Sequence, residues 1–121
     1  MIKTTMCIRR KSDISREAFF NYWNTQHADL IKRLQLDLKI VKYVQSHSLD
    51  NPVSTALRAA RNGPEMFDGV GEAWFESIES LYSLGSDERS AQALKLLLED
   101  EFNFIDLANS PFWVAEEKQI F

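Results

Sequence analysis

The sequence predicts an α+β fold built from two strand–helix–strand halves. Apolar and polar residues alternate in three short segments, which is the pattern of strands: residues 2–8, 41–49 and 70–77. Two longer segments, 16–36 and 86–107, instead repeat their apolar residues at helical spacing. The order is strand, helix, strand and then strand, helices, strand, which favours a sheet with helices packed on it.

The length and charge of the chain limit what kind of protein it is. A chain of 121 residues has the size of one compact domain, and we expect residues 1–121 to share one hydrophobic core. Apolar residues make up 45% of the chain, which excludes disorder, since disordered chains lack the apolar surface needed to fold. The formal charge is −4 and the basic residues are scattered, so we expect no nucleic-acid partner.

Cysteine usage and hydropathy predict a cytoplasmic protein without a membrane partner. Cys7 is the single cysteine, so neither an internal disulfide nor a cysteine-based zinc site is expected. The first ten residues alternate instead of forming the apolar core of a secretory signal, and no run approaches the about 18 apolar residues needed to cross a bilayer. Phosphate-loop, dinucleotide and metal-ligand motifs are missing, so we expect no cofactor and no metal.

The first half is predicted as strand, helix and strand. Residues 2–8 form the first strand, and Ser15 is placed to cap a helix over residues 16–36. The second strand, 41–49, is rich in β-branched residues. Its alternation predicts that four residues share one face of the sheet: Val41, Tyr43, Gln45 and His47.

The second half begins with an insertion, residues 51–65, whose length is typical of a lid or binding loop. Asn51 is placed to cap a short helix that starts at Pro52. In the third strand, 70–77, glycine and alanine on one side leave room for a packed helix or a ligand. Two helices, 78–84 and 86–107, and a last strand, 113–121, complete the chain. The expected buried stripe of the long helix is Ala91, Leu94, Leu98, Phe102 and Ile105.

Two such halves form the ferredoxin-like arrangement, a four-stranded antiparallel sheet with helices on one face. The other face of the sheet would then expose tyrosine, tryptophan and aliphatic side chains to water, a patch larger than a monomer usually tolerates. A homodimer that pairs the two sheet faces would cover it. We therefore expect the chain to form a dimeric α+β barrel.

A histidine lies among large apolar residues in the first helix. Placed at about 100° per residue, seven side chains fall in an arc of about 120°: Phe19, Phe20, Trp23, His27, Leu30, Ile31 and Leu34. His27 lies inside this arc. It is either a packed core residue whose ring nitrogens are satisfied, or a proton-transfer group in a dry pocket, where burial keeps imidazole neutral and able to accept a proton.

This helix carries the motif F-x-x-Y-W-x-x-x-H-x-x-L from Phe19 to Leu30, and residues 43–47, 67–75 and 116–117 add similar segments in the same order. The chain resembles EthD-type proteins of the dimeric α+β barrel superfamily. The resemblance implies a ferredoxin-like protomer that dimerises through its sheet and holds a small molecule between the first helix and the sheet. Relatives in that superfamily include monooxygenases without cofactors, isomerases, cyclases, dehydratases, haem-degrading enzymes and proteins without established activity, so the fold does not name the reaction.

Six residues are candidates for the site. We expect His27 as the general base and Tyr43 as the donor that stabilises a developing oxyanion, although strands also favour tyrosine for packing alone. The ligand-binding candidates are Trp23, His47, Glu72 and Trp74. The tryptophans would be walls of a core or of a cavity, and His47 a second donor or a solvated residue at a strand end. Glu72 would pair with Arg9 or a lysine, or titrate in the pocket.

The sequence thus leaves three functional hypotheses. The first is a cofactor-independent enzyme that isomerises, dehydrates, cyclises or oxidises an apolar or aromatic substrate with His27 as base. The second is a ligand carrier or accessory protein to an oxidoreductase system, and the third is an oligomeric interaction protein. A cavity beside His27 with a free ring nitrogen would favour the enzyme, whereas a closed core around that ring would favour the third hypothesis.

Overall fold

The computed structural model describes residues 1–121, and its four strands form one antiparallel sheet. The strands are β1 (Ile2–Ile8), β2 (Lys42–His47), β3 (Gly69–Phe75) and β4 (Phe112–Glu116). Their order across the sheet is β2-β3-β1-β4, with every neighbouring pair antiparallel. The predicted ferredoxin-like α+β fold is confirmed. The last strand is shorter than expected because Glu116 already pairs with Ile2, where β1 begins.

The first helical segment is not one continuous α-helix. It consists of α1 (Arg16–Tyr22), a π-helical turn (Trp23–His27) and α2 (Ala28–Leu34). The Ser15 hydroxyl accepts the Ala18 N–H at 3.1 Å, as expected of a residue that caps a helix. A π-turn contains one residue more than an α-turn, so it changes which side chains point at the sheet.

The insertion contains α3 (Pro52–Arg61), which begins at Pro52 as the sequence predicts. Asn51 Oδ1 accepts the Val53 N–H at 2.9 Å, and Asn62 ends the helix in the left-handed region at φ 49°. None of the residues of α3 is buried. The helix therefore lies on the surface, held at its two ends.

The two remaining helices are α4 (Ile78–Ser83) and α5 (Glu88–Glu101). Of the stripe predicted as buried, Ile105 is buried, but the prediction is wrong for the other four residues: Ala91 is exposed, and Leu94, Leu98 and Phe102 are 36%, 49% and 58% exposed. The helix instead packs through Ser90 and Ala93, whose small side chains permit close approach. It also ends at Glu101, six residues earlier than expected.

None of the helices is long and apolar enough to cross a lipid bilayer.

Alternation along the strands defines two faces of the sheet. On the inner face, toward the helices, Met6 and Ile8 of β1 are buried, and Tyr43 lies opposite Ala73. The outer face carries the other set of side chains, including Lys3 opposite Trp74. Tyr43 therefore lies on the inner face, and the tyrosine expected among the exposed residues of the outer face is not there.

Two apolar clusters fill the space between the inner face and the helices. The first comprises Met6, Ile8, Phe19, Trp23, Phe104 and Ile105. The second comprises Ile31, Leu38, Ile40, Phe75 and Ala93. Residues of both clusters line a cavity that separates them.

Candidate active site

The cavity has a volume of about 270 Å³ and walls formed mainly by apolar side chains. It lies between the inner face of the sheet, the π-turn and α5. Few side chains with a polar group border it: Thr4, Trp23, His27, Tyr43, Glu72 and Glu101. A pocket of this kind, apolar with a few convergent polar groups, is typical of small-molecule sites.

His27 borders the cavity and is 3% exposed. Its Nδ1 lies 2.7 Å from Oδ2 of Asp100, near the end of α5. Its Nε2 has no hydrogen-bond partner in the protein. This nitrogen is not fully buried, since the only side-chain nitrogen or oxygen that is both fully buried and without a hydrogen bond is Arg10 Nε. The imidazole is therefore held by Asp100 at Nδ1, and its Nε2 is free of protein partners at the wall of the cavity.

Burial decides the charge of this imidazole. Desolvation lowers the pKa of His27 below its ordinary value of 6.5, and the hydrogen bond and charge of Asp100, which act in the opposite direction, do not offset it. His27 is consequently neutral at pH 7. A neutral ring beside a carboxylate donates Nδ1–H to it, which leaves a free lone pair on Nε2.

Asp100 is itself held in place. The Tyr22 hydroxyl donates to Oδ1 of Asp100 at 2.6 Å, and Asn103 Nδ2 donates to the same Tyr22 oxygen at 3.1 Å. Desolvation, followed by the contact with Asp100, raises the pKa of Tyr22, so the phenol keeps its proton for this bond. The chain Asn103–Tyr22–Asp100–His27 therefore fixes both the position and the tautomer of the imidazole.

The π-turn is fixed from the sheet. The Trp23 carbonyl accepts the Ala28 N–H that closes the wide turn, and it also accepts Gln45 Nε2 at 2.7 Å. The Trp23 indole lies against β3, where a Cβ added to Gly69 would stand 2.5 Å from the ring. The space that the sequence predicted beside the glycines of β3 is thus occupied by a helix side chain.

Tyr43 reaches the cavity from β2. Its hydroxyl oxygen accepts two hydrogen bonds, from Trp23 Nε1 at 3.2 Å and from Gln45 Nε2 at 3.3 Å. Desolvation raises its pKa above the ordinary value of 10, so the phenol stays protonated at neutral pH. With its acceptor capacity used by the two donors, its own O–H is available to a bound molecule.

Glu101 is a cavity residue that the sequence interpretation did not identify. Its carboxyl has neither a hydrogen bond nor an ion pair with any protein group. The hydrogen bonds that this residue accepts go to its main-chain oxygen. Desolvation, together with the like charge of Asp100, raises the pKa of Glu101 from 4.5 to about 7. The cavity therefore contains a carboxyl that titrates near neutrality.

His47 does not border the cavity. Its ring stacks on Phe20 and on Trp23, with centroids 4.9 and 4.6 Å apart, and its Nε2 is bonded to Gln45 Oε1 at 2.8 Å. Desolvation lowers its pKa, so it is neutral in this stack. The alternation placed His47 on the correct face, but Trp23 stands between it and the cavity.

Glu72 and Trp74 point to the outer face. The Glu72 carboxylate is bonded to Lys3 Nζ at 2.5 Å, so the contribution of Glu72 to the cavity wall is not its charged group. Trp74 donates its indole N–H to Glu117 at 3.2 Å and is flanked by Lys3 and Lys42. The structure therefore brings together His27, Tyr43 and Trp23 of the six candidates, and it places Glu72 with a lysine, one of the two arrangements expected for it.

The sequence at the end of α5 contains a pattern that could have identified Asp100 and Glu101 as site residues. Three acidic residues, Glu99, Asp100 and Glu101, occupy the last turn of this helix, where the helix dipole disfavours negative charge. Acidic residues at a helix C-terminus need a compensating reason, which here is the bond to His27 and the cavity.

No group of three His, Cys, Asp or Glu side chains is arranged to hold a metal ion.

The fold and the site define a class: ferredoxin-like α+β proteins with a helix-borne histidine at an apolar cavity between helices and sheet. The chain belongs to the EthD family, since the family model described as EthD domain matches residues 11–108. No similar sequence is found among curated proteins.

Solved structures with the same fold include an ethyl tert-butyl ether d (EthD) family protein from Bacillus halodurans, with 15% identity, a TM-score of 0.63, and coverage of 98% of this chain and 100% of that chain. A dimeric protein of unknown function with a ferredoxin-like fold from Bacteroides fragilis has 13% identity, a TM-score of 0.58, and coverage of 96% and 95%. A hydroxynitrile lyase from Passiflora edulis has 12% identity, a TM-score of 0.55, and coverage of 98% and 95%. At these identities the similarity establishes the fold.

Proposed function

We propose that the protein is a cofactor-independent enzyme that transfers protons on a small apolar or aromatic carbonyl compound, with His27 as general base. The observation that carries this proposal is the geometry of one ring at the wall of an apolar cavity: Nδ1 of His27 is bonded to Asp100 at 2.7 Å, and Nε2 has no protein partner. Isomerisation, dehydration and cyclisation of carbonyl compounds all begin with removal of a proton from the carbon next to the carbonyl. The proposed base serves each of them.

The roles of the side chains follow from their protonation states. His27 is neutral at pH 7 and takes the carbon-bound proton on Nε2, and Asp100 stabilises the imidazolium that forms. The negative charge then develops on the carbonyl oxygen of the substrate. Tyr43 donates its O–H to that oxygen, since Trp23 and Gln45 already occupy its acceptor sites.

The size and polarity of the cavity support a small substrate. Its volume of about 270 Å³ lies at the lower end of the range of about 300–1,000 Å³ that is usual for ligand pockets. The Trp23 indole and aliphatic residues form much of the wall, which suits one or two fused rings. The similarity to a hydroxynitrile lyase from Passiflora edulis supports small-molecule chemistry on this fold.

We further propose that the protein acts as a homodimer formed through the outer face of the sheet. The outer face carries Cys7, Val44, Val70, Trp74, Trp113 and Ala115. Trp113, on the edge strand β4 and opposite Thr5 of β1, is 48% exposed. The Bacteroides fragilis protein with the same fold is dimeric, which supports this arrangement.

The test is exchange of carbon-bound protons in a probe ketone. β-Tetralone, an apolar bicyclic ketone with acidic protons next to its carbonyl, is incubated in deuterium oxide with the protein and followed by proton NMR. We expect accelerated exchange that falls by about 100-fold or more in His27→Ala, the usual contribution of a general base.

Glu99→Gln is the matched control, because it changes an exposed carboxylate of α5 that does not border the cavity. It should exchange at the wild-type rate. If wild-type exchange is no faster than that of His27→Ala, the catalytic proposal is wrong. Binding of β-tetralone without exchange, seen as a rise in melting temperature, would identify a carrier instead.

A further inference from the structure

Glu101 has a position that packing alone does not explain. It is the last residue of α5, borders the cavity and is only partly shielded from water. Its carboxyl oxygens have no protein partner. They are not fully buried, since the only side-chain polar atom that is both fully buried and without a hydrogen bond is Arg10 Nε. Glu101 therefore borders the cavity with a carboxyl that no protein group engages.

The charged and titratable groups around Glu101 do not neutralise it. Asp100 on α5 has the same charge and is engaged with His27, which lies on the π-turn. Tyr43 on β2 faces the cavity as a neutral phenol, and Glu72 on β3 is bonded to Lys3 on the outer face. A carboxylate without a cation or donors is disfavoured in such a place, so the protonated form is the stable one.

We propose that Glu101 is a second catalytic residue, the general acid that delivers a proton to a substrate oxygen while His27 removes a proton from carbon. This inference rests on the proposed function and deepens it, because it assigns the site to elimination of water from an apolar β-hydroxy carbonyl compound. Tyr43 is suited to hold the oxyanion by a hydrogen bond. Glu101, with a pKa of about 7, is the group that gives up its proton at neutral pH.

The step balances without an oxidant or a cofactor. His27 Nε2 takes the proton next to the carbonyl, and the electron pair of the C–H bond forms the new carbon–carbon double bond. The bond between the β-carbon and the hydroxyl oxygen breaks, and the Glu101 proton passes to that oxygen, so that water leaves. Imidazolium and carboxylate remain, and proton exchange through solvent restores the neutral pair for the next turnover.

A titration tests the protonation of Glu101 without any substrate. The protein is labelled with carbon-13 at the glutamate side-chain carboxyls, and the chemical shifts are followed between about pH 4 and pH 9. One carboxyl should titrate near pH 7. That signal should vanish in Glu101→Gln and persist in Glu99→Gln, the matched control on the exposed side of the same helix turn. Absence of a carboxyl that titrates near neutrality would overturn the inference.

A second assay tests the catalytic role. The aldol adduct of benzaldehyde and acetone loses water to give benzalacetone, which is followed by its ultraviolet absorbance. We expect the rate to fall by about 100-fold or more in Glu101→Gln and to be unchanged in Glu99→Gln. Loss of dehydration in Glu101→Gln, with the wild-type rate kept in Glu99→Gln, supports the acid role.

The outcomes separate the two proposals. Unchanged dehydration in Glu101→Gln, or a wild type that exchanges β-tetralone but does not dehydrate the aldol adduct, overturns the role of Glu101 and leaves His27 as base. Exchange that does not depend on His27 overturns the proposed function itself.

Discussion

Two titratable side chains in one cavity, His27 and Glu101, respond to pH in opposite directions. Burial disfavours the charged form of each: it lowers the pKa of the imidazole and raises that of the carboxyl. Below about pH 6.5 the imidazole of His27 is protonated in the unfolded state but stays neutral in the folded state. The contribution of His27 to stability is therefore lost as pH falls below about 6.5. Folded Glu101 holds a proton that the unfolded state has released, so its contribution is lost as pH rises from about 4.5 to about 7.

Replacement of Glu101 should therefore stabilise the protein at alkaline pH. A rise in pKa from 4.5 to about 7 corresponds to a cost of up to about 3 kcal/mol when the carboxyl is charged in the folded state. Glu101→Gln should raise the free energy of unfolding by up to that amount near pH 8.5 and by little near pH 5, measured by urea denaturation. Glu99→Gln, which changes an exposed carboxylate of the same turn, should show no such pH dependence. A gain from Glu101→Gln that is equal at both pH values would contradict the assigned pKa.

At the scale of elements, the π-turn connects the sheet to the imidazole of His27. Gln45 of β2 donates to the Trp23 carbonyl at 2.7 Å, and the Trp23 indole packs on the glycines of β3. Both contacts act on the start of the turn, and His27 is its last residue. The position of the imidazole therefore depends on close approach between β3 and the first helical segment.

A methyl group at Gly69 should disrupt this approach. An added Cβ would lie 2.5 Å from the Trp23 ring and 2.7 Å from the Ser46 carbonyl, which is fixed in the β2–β3 ladder and cannot retreat. We expect Gly69→Ala to lower the free energy of unfolding by about 2–3 kcal/mol, as overpacking of a core does.

Gly63→Ala is the matched control in the urea experiment. Its added Cβ would meet only the Arg58 carbonyl, at 3.9 Å. This substitution should change stability by less than about 0.5 kcal/mol, as surface substitutions usually do. Equal effects at the two glycines would show that the contact with Trp23 is not what constrains β3.

At the scale of the whole molecule, the helices cover one face of the sheet and leave the other to the proposed dimer. Trp74 on the outer face is only 7% exposed even in the single chain, because Lys3 and Lys42 lie over its ring. Trp113 is not covered in this way and is 48% exposed. The edge of the outer face near β4 is thus where a second copy would bury most additional apolar surface.

A charge at Trp113 should separate the protomers. Trp113→Asp places an unpaired carboxylate in the proposed interface, and burying such a group costs far more than a dimer contact returns. We expect a monomer by size-exclusion chromatography with light scattering, where the wild type is a dimer. Leu36→Asp, at a side chain that is 89% exposed beyond α2, should remain dimeric. A wild type that is monomeric, or a dimeric Trp113→Asp, would remove the outer face as the interface.

Much of the fold was predictable, because its determinants are local. Alternation located β1, β2 and β3, and Ser15 and Asn51 cap their helices as expected. The buried face of α5 was not predictable from hydrophobicity, since small Ser90 and Ala93 pack more closely than the leucines do. The π-turn was also missed: its first residue, Trp23, is bonded through its carbonyl to Gln45, which belongs to another element.

The sequence by itself determined the strand and helix pattern, the resemblance to the EthD family, and the choice of His27 and Tyr43 as candidates. Only the tertiary structure decided that Asp100, distant in the chain, orients His27, that Glu101 faces the same cavity, and that Trp74 points to the other face. Periodicity and helix caps are encoded in neighbouring residues. Hydrogen-bond partners and desolvation depend on residues that meet only when the chain has folded.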